Sequence, residues 1–145
     1  MAFYRRVAFA IIGIAFTWLA SLAAGNSGSF KTRLSAVAAD ARTRASLAGS
    51  GTVAAQLSGT KLTISGSFEG LLSPATKAEL HSATMAGVRG PVIGPLTISK
   101  AASGTISGSV ELTPPQLTSL NKGGIYVQIH SESAPDGVLW GWLLP

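Results

Sequence analysis

The sequence predicts an all-β protein: an antiparallel β-sandwich of Greek-key-like topology, with about eight short strands and one short helix. Three observations support this prediction. Short stretches alternate between apolar and polar residues, turns rich in glycine and proline separate them, and the 145 residues suit a single compact domain. An apolar N-terminal stretch, predicted as a hydrophobic helix, precedes this domain, which we place at residues 30–145.

Period-two alternation defines the predicted strands. In residues 62–68, Leu62, Ile64 and Phe68 point to one side and the intervening Thr and Ser residues to the other. This pattern is typical of a strand with one buried face. By the same criterion the predicted strands are 31–37, 52–57, 62–68, 77–85, 92–99, 105–112, 125–131 and 138–144.

A short helix is predicted between the last two internal strands. Thr113 suits the N-cap, Pro114 the first helical position, and Gln116 completes a capping box. Lys122 favours the negative end of the helix, and Gly123 can adopt the left-handed conformation that terminates it. These signals predict a helix of about two turns.

The first 25 residues have the layout of an export signal. Arg5 and Arg6 precede an uncharged stretch at 7–24, which ends in small residues that permit cleavage after Ala23 or Gly25. The alternative is an uncleaved membrane anchor, because 18 residues in a helix span roughly 27 Å of a bilayer core about 30 Å thick. Both interpretations place the domain outside the cytoplasm, in the periplasm or secreted. Residues 26–29 are rich in Gly and Ser and are predicted to be a linker.

The composition excludes many functions. The chain has no cysteine, which excludes disulfides, thiolate metal sites and cysteine nucleophiles, and it has only two histidines. No Gly-x-Ser-x-Gly motif accompanies these histidines, so a serine triad is not predicted. The basic segment 31–44 lacks the interleaved aromatic residues of a nucleic-acid surface. We therefore expect a non-enzymatic protein with no cofactor, no small-molecule substrate and no nucleic-acid partner.

A candidate metal site follows from strand alternation. Glu79 and His81 are two residues apart, so they share a face of one predicted strand, and His130 lies on another. If these strands are neighbours, two imidazoles and a carboxylate suit a zinc ion with an open coordination position. The alternative is that the three side chains only form hydrogen bonds across the strands or to the backbone.

The order of motifs from Arg33 onwards resembles the chordin-type domain, usually called the CHRD domain. The residues that carry the resemblance are GTVA at 51–54, FEGL at 68–71, ATKAELH at 75–81, GVRGPV at 87–92, GTISG at 104–108, the Leu117–Leu120 segment, YVQIHS at 126–131 and PDGVLWG at 135–141. The resemblance implies a small extracytoplasmic β-sandwich module with no reaction attached to it. The family usually has His-x-His where this chain has Glu79-Leu80-His81, a departure that alters the surface chemistry of this strand.

A second departure from the family lies in the last strand. Trp140 and Trp142 occupy positions where the family has Arg and Gln, and alternation places Val138 on the same face. The resemblance implies that this face points to solvent, where two indole rings would form an unusually large apolar surface. We therefore predict that Val138, Trp140 and Trp142 dock on a partner protein or at a membrane interface, unless another part of the domain covers them.

Together these patterns predict an exported binding or accessory module. One specific form is an accessory subunit of a membrane-associated complex, held by residues 1–25 and by the tryptophan face. The alternative is a periplasmic metal-binding protein that uses Glu79, His81 and His130.

Overall fold

The structure, a computed structural model, describes residues 26–145, and these fold into one antiparallel β-barrel. Its strands are β1 (Ser27–Ala36), β2 (Ser50–Ser58), β3 (Lys61–Glu69), β4 (Ala75–Ser82), β5 (Val92–Ile98), β6 (Gly104–Glu111), β7 (Ile125–Ser131) and β8 (Leu139–Trp142). The helix α1 (Pro114–Asn121) connects β6 to β7, and a 3-10 turn (Arg44–Ser46) lies between β1 and β2. The predicted N-terminal helix, with its signal or anchor function, lies outside the described residues.

The eight strands close on themselves, so the predicted sandwich is wrong. The order around the barrel is β1-β2-β3-β6-β5-β4-β7-β8, and β8 pairs with the end of β1 through Ser35–Trp140 and Ala36–Leu139. β1 therefore pairs with β2 along most of its length and with β8 near its end. Closure is possible because eight tilted strands enclose an interior that side chains can fill.

One face of each strand fills the barrel interior. The alternation predicted for 62–68 is confirmed, since Leu62, Ile64 and Phe68 are buried and the Thr and Ser residues between them are exposed. In β4 and β7 the interior is lined by Ala78, Leu80, Val127 and Ile129. The residues that alternate with them point to the outer wall of the barrel, where the candidate metal residues are.

The predicted helix is present, with its capping signals. The side chain of Gln116 accepts a hydrogen bond from the backbone N–H of Thr113 at 2.9 Å, and the capping box is complete. Leu120 is fully buried and attaches the helix to the core. Gly123 follows with a φ of +72°, in the left-handed conformation expected after a helix.

Several strand boundaries differ from the predicted ones. β1 begins at Ser27, so residues 27–29, predicted as a linker, pair with the end of β2 instead. β4 ends at Ser82, and residues 83–91 form a loop, here called the 83–91 loop. Among residues 26–145, no helix has the length and apolarity needed to cross a bilayer.

Candidate functional site

β4 and β7 are neighbours, and this pairing brings together Glu79, His81 and His130. In the antiparallel register, His81 lies opposite Tyr126, Glu79 opposite Gln128, and Lys77 opposite His130. The two histidines therefore lie on either side of Glu79 on the outer wall. One potential ligand atom from each of the three side chains lies within 4.8 Å of the other two.

Backbone carbonyls orient both imidazole rings. His81 Nδ1 is 3.0 Å from the carbonyl oxygen of Gly90, and His130 Nδ1 is 2.8 Å from that of Pro135. A carbonyl oxygen only accepts hydrogen bonds, so both Nδ1 atoms carry a proton. In each neutral ring the lone pair is then on Nε2, as in histidines that bind metal through Nε2.

The two Nε2 atoms are buried and have no hydrogen-bond partner within the described residues. Both are directed at Glu79, whose Oε2 is 3.3 Å from His130 Nε2 and 3.7 Å from His81 Nε2. These separations are longer than a typical N–H···O hydrogen bond of about 2.9–3.0 Å. A tetrahedral metal ion with bonds of about 2.0–2.1 Å holds its ligand atoms about 3.4 Å apart, close to the separations found.

Glu79 is ionised in this environment. Its burial by itself raises the pKa, but the hydrogen bond and positive charge of Lys77, with the charge that His130 and His81 carry when protonated, outweigh burial and hold the pKa below the usual 4.5. Lys77 Nζ binds Oε1 at 3.0 Å, which leaves Oε2 for the histidines. The cluster therefore presents one carboxylate and two Nε2 lone pairs to a common point.

Tyr126 is a further residue of the site that the sequence analysis did not identify. Its ring stacks on His81, with centroids 4.7 Å apart and planes inclined by 12°. Its hydroxyl accepts a hydrogen bond from the N–H of Gly90 at 3.1 Å and donates one to the Gly90 carbonyl oxygen at 3.3 Å. Alternation contained a signal, because Tyr126, Gln128 and His130 share a face of β7. Its contact with Gly90 could not be predicted in this way, because the position of Gly90 depends on the path of the 83–91 loop.

The geometry of the histidines does not form a hydrolytic triad among the described residues. A triad requires a carboxylate at Nδ1 and a hydroxyl nucleophile at Nε2. Here Nδ1 of each ring binds a backbone carbonyl, and the group facing Nε2 is the carboxylate of Glu79.

The predicted docking face is only partly as expected. Val138 is buried in the core, so its predicted exposure is wrong: it precedes the first residue of β8, and its backbone binds Val37 and Ile129. Trp140 and Trp142 do point to the outer wall, but both are half-buried. The expected large exposed indole surface is therefore reduced.

Neighbouring side chains account for this partial burial. Trp142 packs on Tyr126, with ring centroids 5.0 Å apart, and lies edge-on to Trp140 at 4.6 Å. The guanidinium of Arg89, on the 83–91 loop, lies 5.0 Å from the ring centre of Trp140. The tryptophan pair and the histidine cluster thus form one continuous strip along the outer wall, connected through Tyr126.

These features define a class of protein: a closed antiparallel β-barrel with a buried Glu/His cluster on its outer wall. The chain belongs to the CHRD-domain family, whose model matches residues 23–143, nearly the whole sequence. Neither the curated proteins nor the solved structures give a significant match. The resemblance seen in the motif order is therefore confirmed.

Proposed function

We propose that this CHRD domain is a non-enzymatic, exported binding module that takes up a divalent transition-metal ion through Glu79, His81 and His130. The observation that carries the proposal is the pair of buried Nε2 atoms that have no hydrogen-bond partner and converge on Glu79. The lack of a triad geometry around the two rings supports a binding role over a hydrolytic one.

A positive charge between the two Nε2 atoms and the Glu79 carboxylate would stabilise the cluster. With Nδ1 protonated on both rings, two lone pairs and a carboxylate oxygen point at each other with no donor between them. Such an arrangement is unfavourable in a partly buried site, because polar atoms removed from water need a partner. A metal ion satisfies all three atoms at once. Protonation of Nε2 is the competing solution, and it forms an ordinary ion pair with Glu79.

The ligand set indicates which ions to expect. Imidazole and carboxylate suit Zn²⁺, Cu²⁺, Ni²⁺ and Fe²⁺, whereas Mg²⁺ and Ca²⁺ prefer all-oxygen sites. Two imidazoles and one carboxylate leave a position open for water or an external ligand. We take Zn²⁺ as the reference ion, because it accepts such sites without a redox change.

Calorimetric titration of the full chain tests the proposal. The protein is purified without a histidine tag, stripped with a chelator and titrated with Zn²⁺. One ion per chain is expected. Glu79→Gln and His130→Ala are each expected to weaken binding by more than the 10–100-fold that is typical of losing an outer hydrogen-bond partner. Glu69→Gln, an exposed glutamate of β3, is the matched control. If the wild-type protein takes up no stoichiometric metal, the proposed metal site is refuted.

A second proposal concerns Trp140 and Trp142. We infer that this pair contributes to docking on a protein partner, as an accessory subunit of a membrane-associated complex would require. Its support is that both rings keep part of their surface exposed on the outer wall, although Tyr126 and Arg89 contact them. Tryptophan and arginine are the residues most enriched among interface anchors. Val138 is not part of this surface.

A further inference from the structure

Exposed apolar side chains are concentrated at one end of the barrel. Within residues 26–145 five large apolar side chains are exposed: Leu72, Met85, Val88, Val92 and Leu144. All but Leu72 lie at the end of the barrel where β1 begins. At this end β5 and β7 also begin, and β4 and β8 finish. We call this the Ser27 end. Leu72 follows β3 and lies at the opposite end.

Three chain segments form a continuous surface at the Ser27 end. A Cβ atom built on Gly123, after α1, would lie 2.9 Å from a methyl carbon of Leu144 and 3.9 Å from the Cβ of Ala86. Leu144 in turn forms a backbone bridge with Lys31 of β1. The 83–91 loop, the turn after α1 and the residues after β8 therefore adjoin each other, so Met85, Val88 and Leu144 lie on neighbouring segments of this end.

The Ser27 end is the more basic of the two ends. It carries four exposed basic residues, Lys31, Lys61, Arg89 and Lys122, with Glu111 as the acidic side chain among them. At the opposite end the charges nearly balance, with five basic residues, Arg33, Arg42, Arg44, Lys77 and Lys100, against four acidic ones, Asp40, Glu69, Glu132 and Asp136. Apolar exposure combined with flanking lysines favours contact with an anionic lipid surface.

The described part of the chain also begins at this end, at residue 26. The uncharged stretch at 7–24 finishes three residues before Ser27, the first residue of β1. Three residues span at most about 11 Å when fully extended. If that stretch remains in a bilayer, the Ser27 end has to lie close to the membrane surface.

We propose that residues 1–25 are retained as a membrane anchor and that the Ser27 end lies directly on an anionic bilayer. Met85, Val88 and Leu144 contact the lipid interface, and the surrounding lysines face the headgroups. The metal cluster and the tryptophan pair, on the outer wall, then face sideways, parallel to the membrane. This proposal rests on the exposed end of the barrel and is independent of metal binding.

Spin labels on the full chain test this orientation, and the absence of native cysteine makes single labels simple to introduce. Val88→Cys and Leu144→Cys report the Ser27 end, and Leu72→Cys is the matched control, since Leu72 is exposed to 61% and Leu144 to 50%. In vesicles of phosphatidylcholine with phosphatidylglycerol, labels at 88 and 144 are expected to collide more with lipid-soluble oxygen than with a water-soluble nickel complex. The label at 72 is expected to show the reverse. Equal water exposure at 72 and 144 would overturn the proposal.

Charge reversal and processing give two further checks. Lys31→Glu with Lys122→Glu is expected to reduce the oxygen preference at position 144 in vesicles with phosphatidylglycerol. Arg42→Glu with Arg44→Glu, at the opposite end, is expected to leave it unchanged. The mass of the protein isolated from its native membrane is expected to include residues 1–25. A product that begins after Ala23 or Gly25 would refute the retained anchor.

Discussion

His81 and Tyr126 lie face to face, with ring centroids 4.7 Å apart, and both donate a hydrogen bond to the carbonyl oxygen of Gly90. The tyrosine thus fixes the ring of His81 in two ways: by stacking against it, and by holding the backbone group that its Nδ1 binds. The orientation of His81 as a metal ligand therefore depends on the 83–91 loop, which lies outside β4 and β7.

Tyr126→Phe is predicted to weaken Zn²⁺ binding by about 10–100-fold, the usual effect of losing an outer partner of a metal-binding histidine. The variant retains the stacked ring and removes only the hydroxyl that binds Gly90. Competition with a chelating dye measures the affinity, and urea unfolding in the absence of metal measures stability. An unchanged zinc affinity would show that the loop does not position His81.

Gly90→Ala is predicted to damage the site by moving the 83–91 loop. The new Cβ would overlap the carbonyl group of Ser82 and would lie 2.8 Å from the Cα of Ala83, so backbone has to shift. We expect a loss of about 1–3 kcal/mol in the free energy of unfolding, typical of overpacking, together with weaker zinc binding. Gly87→Ala is the control: no atom lies within 4 Å of its Cβ, and only its φ of +84° opposes the change. Equal zinc affinity in the two variants would contradict the prediction.

The stability of the metal-free protein is predicted to fall in acid partly because of Glu79. Its pKa in the folded protein lies below the ordinary 4.5, so its ionised form stabilises the fold above about pH 4.5. That contribution is lost as the pH falls through the lowered value. Between about pH 6 and about pH 3, Glu79→Gln should therefore lose less stability than the wild type in urea unfolding. Equal losses in the wild type and in Glu79→Gln would exclude this role for Glu79.

The proposed docking by Trp140 and Trp142 predicts a specific contact in the native host. A photo-crosslinking residue at position 140 is expected to give one discrete adduct with a membrane-associated protein, and the same residue at position 72 none. Trp140→Arg combined with Trp142→Gln should abolish co-purification of that protein. Urea unfolding of the double variant verifies that the barrel remains folded. A crosslinker at 140 that forms no discrete adduct would count against docking.

Local structure could be predicted well from this sequence. The faces of β3 follow from strict alternation, and the start of α1 follows from Thr113, Pro114 and Gln116, because these signals act over a few residues. The wrong prediction that Val138 is exposed also has a local cause. β8 begins one residue later, so Val138 and Leu139 are both buried and the alternation does not extend back through the turn.

Strand pairing could not be predicted in the same way. Nothing in the alternation of β1 indicates that Ser35 lies opposite Trp140, or that β3 lies beside β6, and these pairings distinguish a barrel from a sandwich. The same limit applied to the candidate site. Glu79 and His81 were placed on one face, but only the β4–β7 register brings His130 to them, and only the loops bring the carbonyls of Gly90 and Pro135.

The circular arrangement of the strands also restricts how this domain associates with other chains. Within residues 26–145 every strand has a neighbour on both sides, and although β5 and β6 pair only through Thr97–Ser107 and Ile98–Ile106, no strand offers its full length as a free backbone edge to a foreign strand. Strand addition and edge-to-edge aggregation are thereby disfavoured. Recognition of other molecules then depends mainly on side chains of the outer wall and on the loops.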